Sequence, residues 1–151
     1  MDVRTVPKSR RHPQFVREAM ERWVPESAGS AYRWEPRLGG FRKTHPNSPN
    51  VALTHPSFRG YADYMETDSF RQALSELLAG AISARTAILC SETLWWRCHR
   101  RLIADAAVLL AGVAVEHLMH DGTLRKHVPT NGVRVAAGGV LRYDVLFAGE
   151  D

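Results

Sequence analysis

A short strand that runs directly into a helix constrains the fold of this chain more than any other feature. Residues 86–90 form an apolar run that is too short for a core helix, which predicts a strand covered on both faces. A helix is predicted immediately after it. Ser91 or Thr93 can cap its first turn, and Gly112 follows its last residue. Residues 86–112 therefore predict a strand-to-helix corner, where ligands are often bound.

A second apolar run, at 113–119, follows the helix and predicts another strand. A strand, a helix and a strand in this order favour a right-handed crossover between parallel strands. We therefore predict an α/β fold, a single-domain three-layer structure with a mainly parallel sheet flanked by helices. The 151 residues fit one domain, 1–151. Its predicted parts are a basic loop at 7–12, an irregular loop at 41–58, the strand-helix-strand core at 84–119 and a C-terminal hairpin at 133–145.

Composition excludes several classes of protein. No apolar run approaches the roughly 20 residues that cross a bilayer, and no apolar segment follows the N-terminal positive charges. Two cysteines are too few for a disulfide scaffold, so free thiols are expected. We expect a cytoplasmic protein with no membrane partner. The net charge is +4, and residues 1–43 hold ten Arg or Lys against five acids, which suits a phosphate-bearing ligand or nucleic acid but also a solvated basic face.

Several blocks of residues, in order, carry a resemblance to a known family. Cys90 is followed by Glu92 and, after a tryptophan pair, by Cys98-His99-Arg100. The other blocks are Asp2-Val3-Arg4, Ser9-Arg10 with Pro13 and Phe15, Tyr32 before Leu38-Gly39-Gly40, and Ser57-Phe58-Arg59-Gly60-Tyr61-Ala62. Together they resemble the bacterial and archaeal family called domain of unknown function 488, over nearly the whole chain.

The resemblance implies the fold more firmly than any activity, because that family has no agreed reaction. Its members usually carry another strand and helix before the Asp-Val-Arg block, opening with a Gly-His-Ser type segment. This chain starts on that block at Met1. We therefore expect either a start codon placed too far downstream or a shortened variant without the usual first strand and helix.

Three side chains at the corner are candidate catalytic residues. Cys90 at a strand end beside a helix N-terminus is typical of an activated nucleophile, although a cysteine on an apolar strand is more often a small core residue. Glu92 could act as a general base or only favour the helix dipole. His99 on the buried side of the helix could orient the reacting groups or be a core histidine with a partner.

An anion-binding set is predicted around the same corner. In a parallel sheet, the Asp2–Arg4 strand would end at the same edge as Cys90. Gly39 and Gly40 allow close approach of the backbone to a ligand, or serve only a turn. The predicted set is Asp2, Arg4, Ser9, Arg10, Gly39, Gly40, Ser91 and Arg100.

No metal and no cofactor are predicted. The spacing of Cys90, Cys98 and His99 matches none of the usual zinc motifs, and consecutive residues on a helix diverge by about 100°. Nucleotide-binding glycine motifs are absent. Two functions remain: a cysteine-dependent enzyme on a nucleotide-like or nucleic-acid substrate, or a non-catalytic module that binds nucleic acid or a nucleotide through the basic N-terminal region. A shortened, inactive paralogue is the third possibility.

Overall fold

The computed structural model describes residues 1–145, so the last six residues of the predicted domain, 146–151, lie outside the described part. The helices are α1 (Arg17–Ala28), α2 (Pro56–Tyr64), α3 (Asp68–Ser83) and α4 (Arg100–Ala111). The strands are β1 (Glu116–Leu118), β2 (Leu124–Lys126), β3 (Val133–Ala136) and β4 (Val140–Tyr143). Single 3-10 turns occur at Pro13–Phe15, Pro36–Leu38 and Trp95–Arg97. No helix within residues 1–145 combines the length and apolarity needed to cross a bilayer.

The N-terminal segment lies between two other extended segments of the chain. Asp2 forms isolated parallel bridges with both Trp34 and Leu89. The amide of Val3 donates to the Leu89 carbonyl at 3.0 Å, and the Leu89 amide donates to the Met1 carbonyl at 3.0 Å. This pairing places the start of the chain directly beside the residue that precedes Cys90.

The predicted parallel sheet is wrong. In residues 1–145 the two sheets are antiparallel pairs, β1 with β2 and β3 with β4, and parallel pairing is limited to the two bridges at Asp2. The predicted crossover to a parallel strand after α4 is also wrong, because β1 turns back on β2. The physical reason is exposure: residues 84–87 are exposed, so the segment before Cys90 is not covered on both faces as a central parallel strand must be.

The helices follow local signals in the sequence. Thr67 caps α3 by accepting from the Phe70 amide at 3.3 Å, just after the end of α2. Gly112, at φ 65°, ends α4 in the left-handed conformation, as predicted. The buried faces of α2, α3 and α4 meet over the N-terminal segment and β4. The largest core members are Val3, Leu38, Tyr61, Phe70, Leu102, Ile103 and Tyr143.

Candidate functional site

Three sulfur and nitrogen side chains converge where the N-terminal segment meets the start of α4. The ligand atoms of Cys90, Cys98 and His99 all lie within 4.8 Å of one another. Cys98 is 3% exposed, whereas Cys90 and His99 are half-buried and Ser91, next in the chain, is exposed. The cluster therefore has a buried end at Cys98 and opens toward solvent at Cys90.

The local backbone explains the convergence. Cys90 follows Leu89, which is fixed by its bridge to Asp2. The predicted helix start at residues 91–93 is wrong, since the chain bends there and makes a 3-10 turn at Trp95–Arg97. Cys98 is then extended, at φ −118° and ψ 150°, and His99 precedes the first residue of α4. Cys98 and His99 are therefore not successive residues of one helix, and both can face Cys90.

The His99 ring is held from three sides. Its Nε2 lies 3.3 Å from the Val3 carbonyl, which can only accept, so Nε2 carries the proton and Nδ1 has the free lone pair. Nδ1 lies 3.6 Å from the Cys98 sulfur. The Tyr61 ring packs at a centroid distance of 5.0 Å. At Gly40, a Cβ would lie 2.9 Å from Nδ1, so a larger residue there would displace the imidazole.

The environment of the cluster shifts all three pKa values. The neighbouring Cys98 thiol, followed by the Glu92 amide, lowers the pKa of Cys90 well below its ordinary value. The neighbouring Cys90 sulfur, followed by burial, raises the pKa of Cys98. Burial lowers the pKa of His99, and the charges of Arg100 and Arg42 act in the same direction. The two shifts run in opposite directions and make Cys90 the more acidic thiol of the pair.

Two arginines next to the cluster lack an acidic partner within residues 1–145. Arg100 donates from Nε to the Cys98 sulfur at 3.3 Å and also bonds the Glu92 carbonyl. Arg42 donates to the carbonyls of Gly39 and Pro36, at 3.0 and 3.1 Å, and its guanidinium lies over the Tyr64 ring. Because no carboxylate neutralises either charge, the cluster lies in a region that attracts anions.

The structure places some of the predicted corner residues in the cluster and others outside it. Ser91 contributes a hydroxyl 4.0 Å from the Cys90 sulfur. The Glu92 carboxylate instead accepts from the Leu94 amide at 3.1 Å, so it closes its own bend. Cys90, His99, Ser91 and Arg100 are brought together, whereas Glu92 contributes its backbone rather than its carboxylate. The catalytic roles of these residues remain predictions.

Asp2 and Arg4 flank Val3, whose carbonyl contacts His99, but their side chains form an ion pair with each other. Asp2 is fully buried and accepts from the Arg4 side chain and from the Tyr32 hydroxyl at 2.6 Å. Arg4 is 7% exposed and also donates to the Phe15 carbonyl at 2.8 Å. The Arg4 side chain ties the N-terminal segment to the 3-10 turn at Pro13–Phe15 and lacks the exposure that an anion ligand needs.

The remaining predicted anion ligands form two separate groups. Ser9 and Arg10 line a shallow surface depression with Lys8, and the Ser9 hydroxyl accepts from the His12 amide at 2.9 Å. Gly39 and Gly40 are buried beneath the cluster. A Cβ at Gly39 would lie 2.5 Å from the Thr5 hydroxyl, so Gly39 serves close packing between segments.

Sequence reasoning missed Tyr61, Arg42 and Phe41 as members of the region, and it considered Cys98 only as a zinc ligand and set that role aside. Phe41 is notable because its side chain is 95% exposed and its φ is 59°, a left-handed value that is unfavourable for an aromatic residue. It lies between Gly40, which packs on His99, and Arg42. The signal that could have indicated it is a lone aromatic residue directly after a glycine pair.

A second polar cluster, also missed, lies beside the middle of α4, at Asp105. Asp105 is fully buried and accepts from His127 at 2.9 Å and from the Tyr143 hydroxyl at 3.0 Å. His127 in turn bonds His117 at 2.9 Å, and the His117 ring stacks on Trp95 at 3.6 Å. This chain of contacts ties both antiparallel sheets to α4. No local pattern indicates it, because its residues are far apart in sequence.

The family model described as Domain of unknown function DUF488 matches residues 1–107, which include Cys90, Cys98, His99 and Arg100 and end within α4. No curated protein and no solved structure matches the chain.

Proposed function

We propose that this chain, which belongs to the family Domain of unknown function DUF488, is an enzyme with Cys90 as its nucleophile. The substrate class is a phosphate-bearing, nucleotide-like molecule. The observation that carries the proposal is the cluster itself, in which the half-buried Cys90 sulfur lies with the Cys98 thiol and the His99 ring within 4.8 Å. A nucleophile with neighbouring groups that bind or move protons is the usual arrangement for covalent catalysis.

The reaction would proceed in two steps. The Cys90 sulfur donates its electron pair to an electrophilic carbon or phosphorus of the substrate, and the leaving group departs with the pair of the broken bond. Water then cleaves the sulfur–substrate bond and restores the Cys90 thiolate. The free lone pair on Nδ1 of His99 is the base available to take the proton of that water, because Nε2 is committed to the Val3 carbonyl.

The surroundings of the cluster support an anionic, aromatic substrate. Arg100 and Arg42 bring positive charge without an acidic partner in the described residues. Planar guanidinium groups suit phosphate oxygens. The exposed ring of Phe41 offers a surface on which a base can stack. A reducing compartment such as the cytoplasm would keep both thiols free, and we include that location in the proposal.

Protection of Cys90 from alkylation tests the proposal. Adenosine monophosphate is the probe, inorganic phosphate is its base-free control, and peptide mapping follows iodoacetamide labelling of Cys90. We expect adenosine monophosphate to slow labelling more than phosphate does. Arg100→Gln should weaken that protection about tenfold, since a charge-assisted contact is lost, whereas Arg97→Gln, an exposed arginine nearby, should leave it unchanged. Equal labelling with and without the probe would contradict the proposed substrate class.

A specific observation favours a second candidate, a module that binds nucleic acid through its N-terminal loop. Lys8, Arg10 and Arg11 are exposed, and none of them forms a salt bridge in the described part of the chain. Free cations on one loop suit contact with a phosphate backbone.

Binding to a fluorescent single-stranded oligonucleotide separates the two candidates. For the binding module, Arg10→Ala with Arg11→Ala should weaken affinity and reduce the salt slope by about 1.4, as for two lost phosphate contacts. The pair Arg125→Ala and Lys126→Ala, equally exposed on β2, is the control. Cys90→Ser should leave this affinity unchanged. If the oligonucleotide binds no better to the unaltered protein than to the loop variant, the second candidate is rejected.

A further inference from the structure

We propose that Cys90, Cys98 and His99 form a binding site for a thiophilic divalent cation of the zinc class. The inference goes beyond the proposed enzyme. It uses the same side chains but does not depend on any reaction there. Thiolate sulfur and imidazole nitrogen are the ligands that zinc prefers in proteins, and two cysteines with one histidine are a known zinc ligand set.

The distances in the cluster are close to those that a metal requires. With bonds of about 2.3 Å to sulfur and 2.05 Å to nitrogen, a tetrahedral ion holds sulfur and nitrogen about 3.5 Å apart and two sulfurs about 3.8 Å apart. The Cys98 sulfur and His99 Nδ1 are already 3.6 Å apart. All three ligand atoms lie within 4.8 Å, so no pair needs to close by more than about 1.3 Å to reach these separations.

The imidazole is oriented as a metal ligand normally is. Histidines that bind metals usually donate their other ring proton to a carbonyl or carboxylate, which fixes the tautomer. In His99 this contact is made to the Val3 carbonyl at 3.3 Å, which leaves the Nδ1 lone pair facing Cys98. The absence of a side chain at Gly40, where a Cβ would lie 2.9 Å from Nδ1, keeps that side of the ring unobstructed.

The backbone removes the geometric objection to adjacent ligands. Two successive residues on a helix diverge by about 100° and would rarely face one ion. Cys98, however, is extended and His99 stands just before the first residue of α4, so both ligand atoms face Cys90. The spacing of seven residues between the cysteines spans a bend and a 3-10 turn, which is why it matches no zinc-finger pattern.

Three protein ligands would leave a fourth position, on the open side of the cluster next to the half-buried Cys90. That count is typical of catalytic or regulatory zinc sites, while structural sites use four protein ligands. Arg100 Nε donates a hydrogen bond to the Cys98 sulfur at 3.3 Å and would stabilise that electron-rich ligand. A metal ion bound to the Cys90 sulfur withdraws electron density from it, so metal binding should slow nucleophilic attack by Cys90.

Cobalt substitution tests the site on the full chain. The protein is stripped with a chelator, reduced and titrated with Co²⁺. We expect one ion per chain, intense thiolate-to-metal charge-transfer absorption in the near ultraviolet and the visible bands of tetrahedral cobalt, all lost when Zn²⁺ is added. X-ray absorption of the zinc form should show two sulfur neighbours and one imidazole nitrogen. A featureless titration, or a spectrum of oxygen ligands alone, would overturn the proposal.

Variants locate the ion. Cys98→Ser and His99→Gln should each weaken Co²⁺ binding by more than the roughly 10- to 100-fold expected for loss of an outer-shell partner. His120→Ala, which removes an exposed histidine in a turn, should have no effect. Because Cys98 is buried, circular dichroism checks that Cys98→Ser still folds. If Cys98→Ser does not fold, His99→Gln alone decides the test. A cobalt spectrum unchanged in His99→Gln would place the ion elsewhere and reject the site.

The same protein separates this inference from the proposed enzyme. If Co²⁺ binds through sulfur but metal-free Cys90 is no more reactive toward iodoacetamide than it is in urea, the metal site stands and the nucleophile is rejected. If metal-free Cys90 is reactive but no charge-transfer band forms, the nucleophile stands and the metal site is rejected. Where both hold, Zn²⁺ should slow the alkylation of Cys90 in proportion to its occupancy.

Discussion

The imidazole of His99 donates its Nε2 proton to the backbone carbonyl of Val3, 3.3 Å away. This one contact couples the start of the chain to the start of α4 and fixes which ring nitrogen is free. Val3 is itself held by the hydrogen bond that its amide donates to the carbonyl of Leu89, the residue before Cys90. The N-terminal segment therefore sets the geometry of the cluster through the backbone, although its charged side chains do not enter the cluster.

Gly40→Ala should impair the cluster without unfolding the protein. The added Cβ would lie 2.9 Å from His99 Nδ1, so the ring must shift, which disturbs its 3.6 Å contact with the Cys98 sulfur. We expect slower alkylation of Cys90 by iodoacetamide and a loss of stability of about 1–3 kcal/mol from overpacking. Gly80→Ala on α3 is the control, because nothing lies within 4 Å of that Cβ, and it should raise stability by up to about 1 kcal/mol. Equal effects of the two changes would contradict the role of Gly40.

Asp2→Asn should destabilise the fold strongly. Asp2 is fully buried and its partner Arg4 is 7% exposed, so the change leaves a buried guanidinium without its counter-ion. Loss of one partner of a buried ion pair costs about 3–5 kcal/mol, measured as the free energy of unfolding in urea. Adding Arg4→Met should recover part of that loss, since the unpaired charge is then removed. Glu21→Gln, which breaks an exposed pair with Arg17, should cost less than about 1 kcal/mol.

Phe41→Gly should separate stability from binding. The backbone of Phe41 is left-handed, at φ 59°, and its ring is 95% exposed. Glycine adopts that conformation freely, so relief of strain should stabilise the fold by about 1 kcal/mol. Loss of the ring should weaken adenosine monophosphate binding by about 1–3 kcal/mol in calorimetry, the usual value of one stacked base. Ile82→Gly on α3, also exposed, should leave that affinity unchanged, and an unaltered affinity in Phe41→Gly would rule out stacking there.

Acidification should destabilise the protein between pH 6.5 and 4 through His117. Burial, with the neighbouring His127 and Arg100, lowers the pKa of His117 to about 4, whereas it is near 6.5 in the unfolded chain. Below pH 6.5 the unfolded chain binds a proton that the folded chain refuses. The free energy of unfolding should therefore fall by about 1–2 kcal/mol across this interval and show no His117 contribution above it. Imidazole NMR checks this directly: a His117 midpoint near 6.5 in the folded protein would refute it.

The parts of the fold that the sequence predicted correctly are those with local causes. Gly112 ends α4 because glycine suits the left-handed position. Whether the strands form a parallel sheet has no such local signal in the sequence. An apolar run such as residues 86–90 predicts a covered strand, but whether anything covers it depends on distant segments, and here residues 84–87 are exposed.

The candidate site was predictable in part for the same reason. Cys90, His99 and Arg100 stand out as reactive residue types near a corner, and the bridge between Asp2 and Leu89 brings the N-terminal segment to it. The sequence did not indicate that a 3-10 turn at Trp95–Arg97 stands where we predicted the start of the helix. That turn brings Cys98 into the cluster. The contacts among Asp105, His117 and His127 depend on tertiary packing alone.

The reactivity of Cys90 in metal-free, folded protein compared with the same protein in urea tests the central claim most directly. Peptide-mapped iodoacetamide labelling at neutral pH gives both rates for one thiol. We expect faster labelling of Cys90 in the folded state, because the Cys98 thiol and the Glu92 amide stabilise its thiolate, while buried Cys98 is labelled only in urea. Slower labelling of Cys90 in the folded protein than in urea would contradict the account and leave Cys90 as an ordinary packing residue.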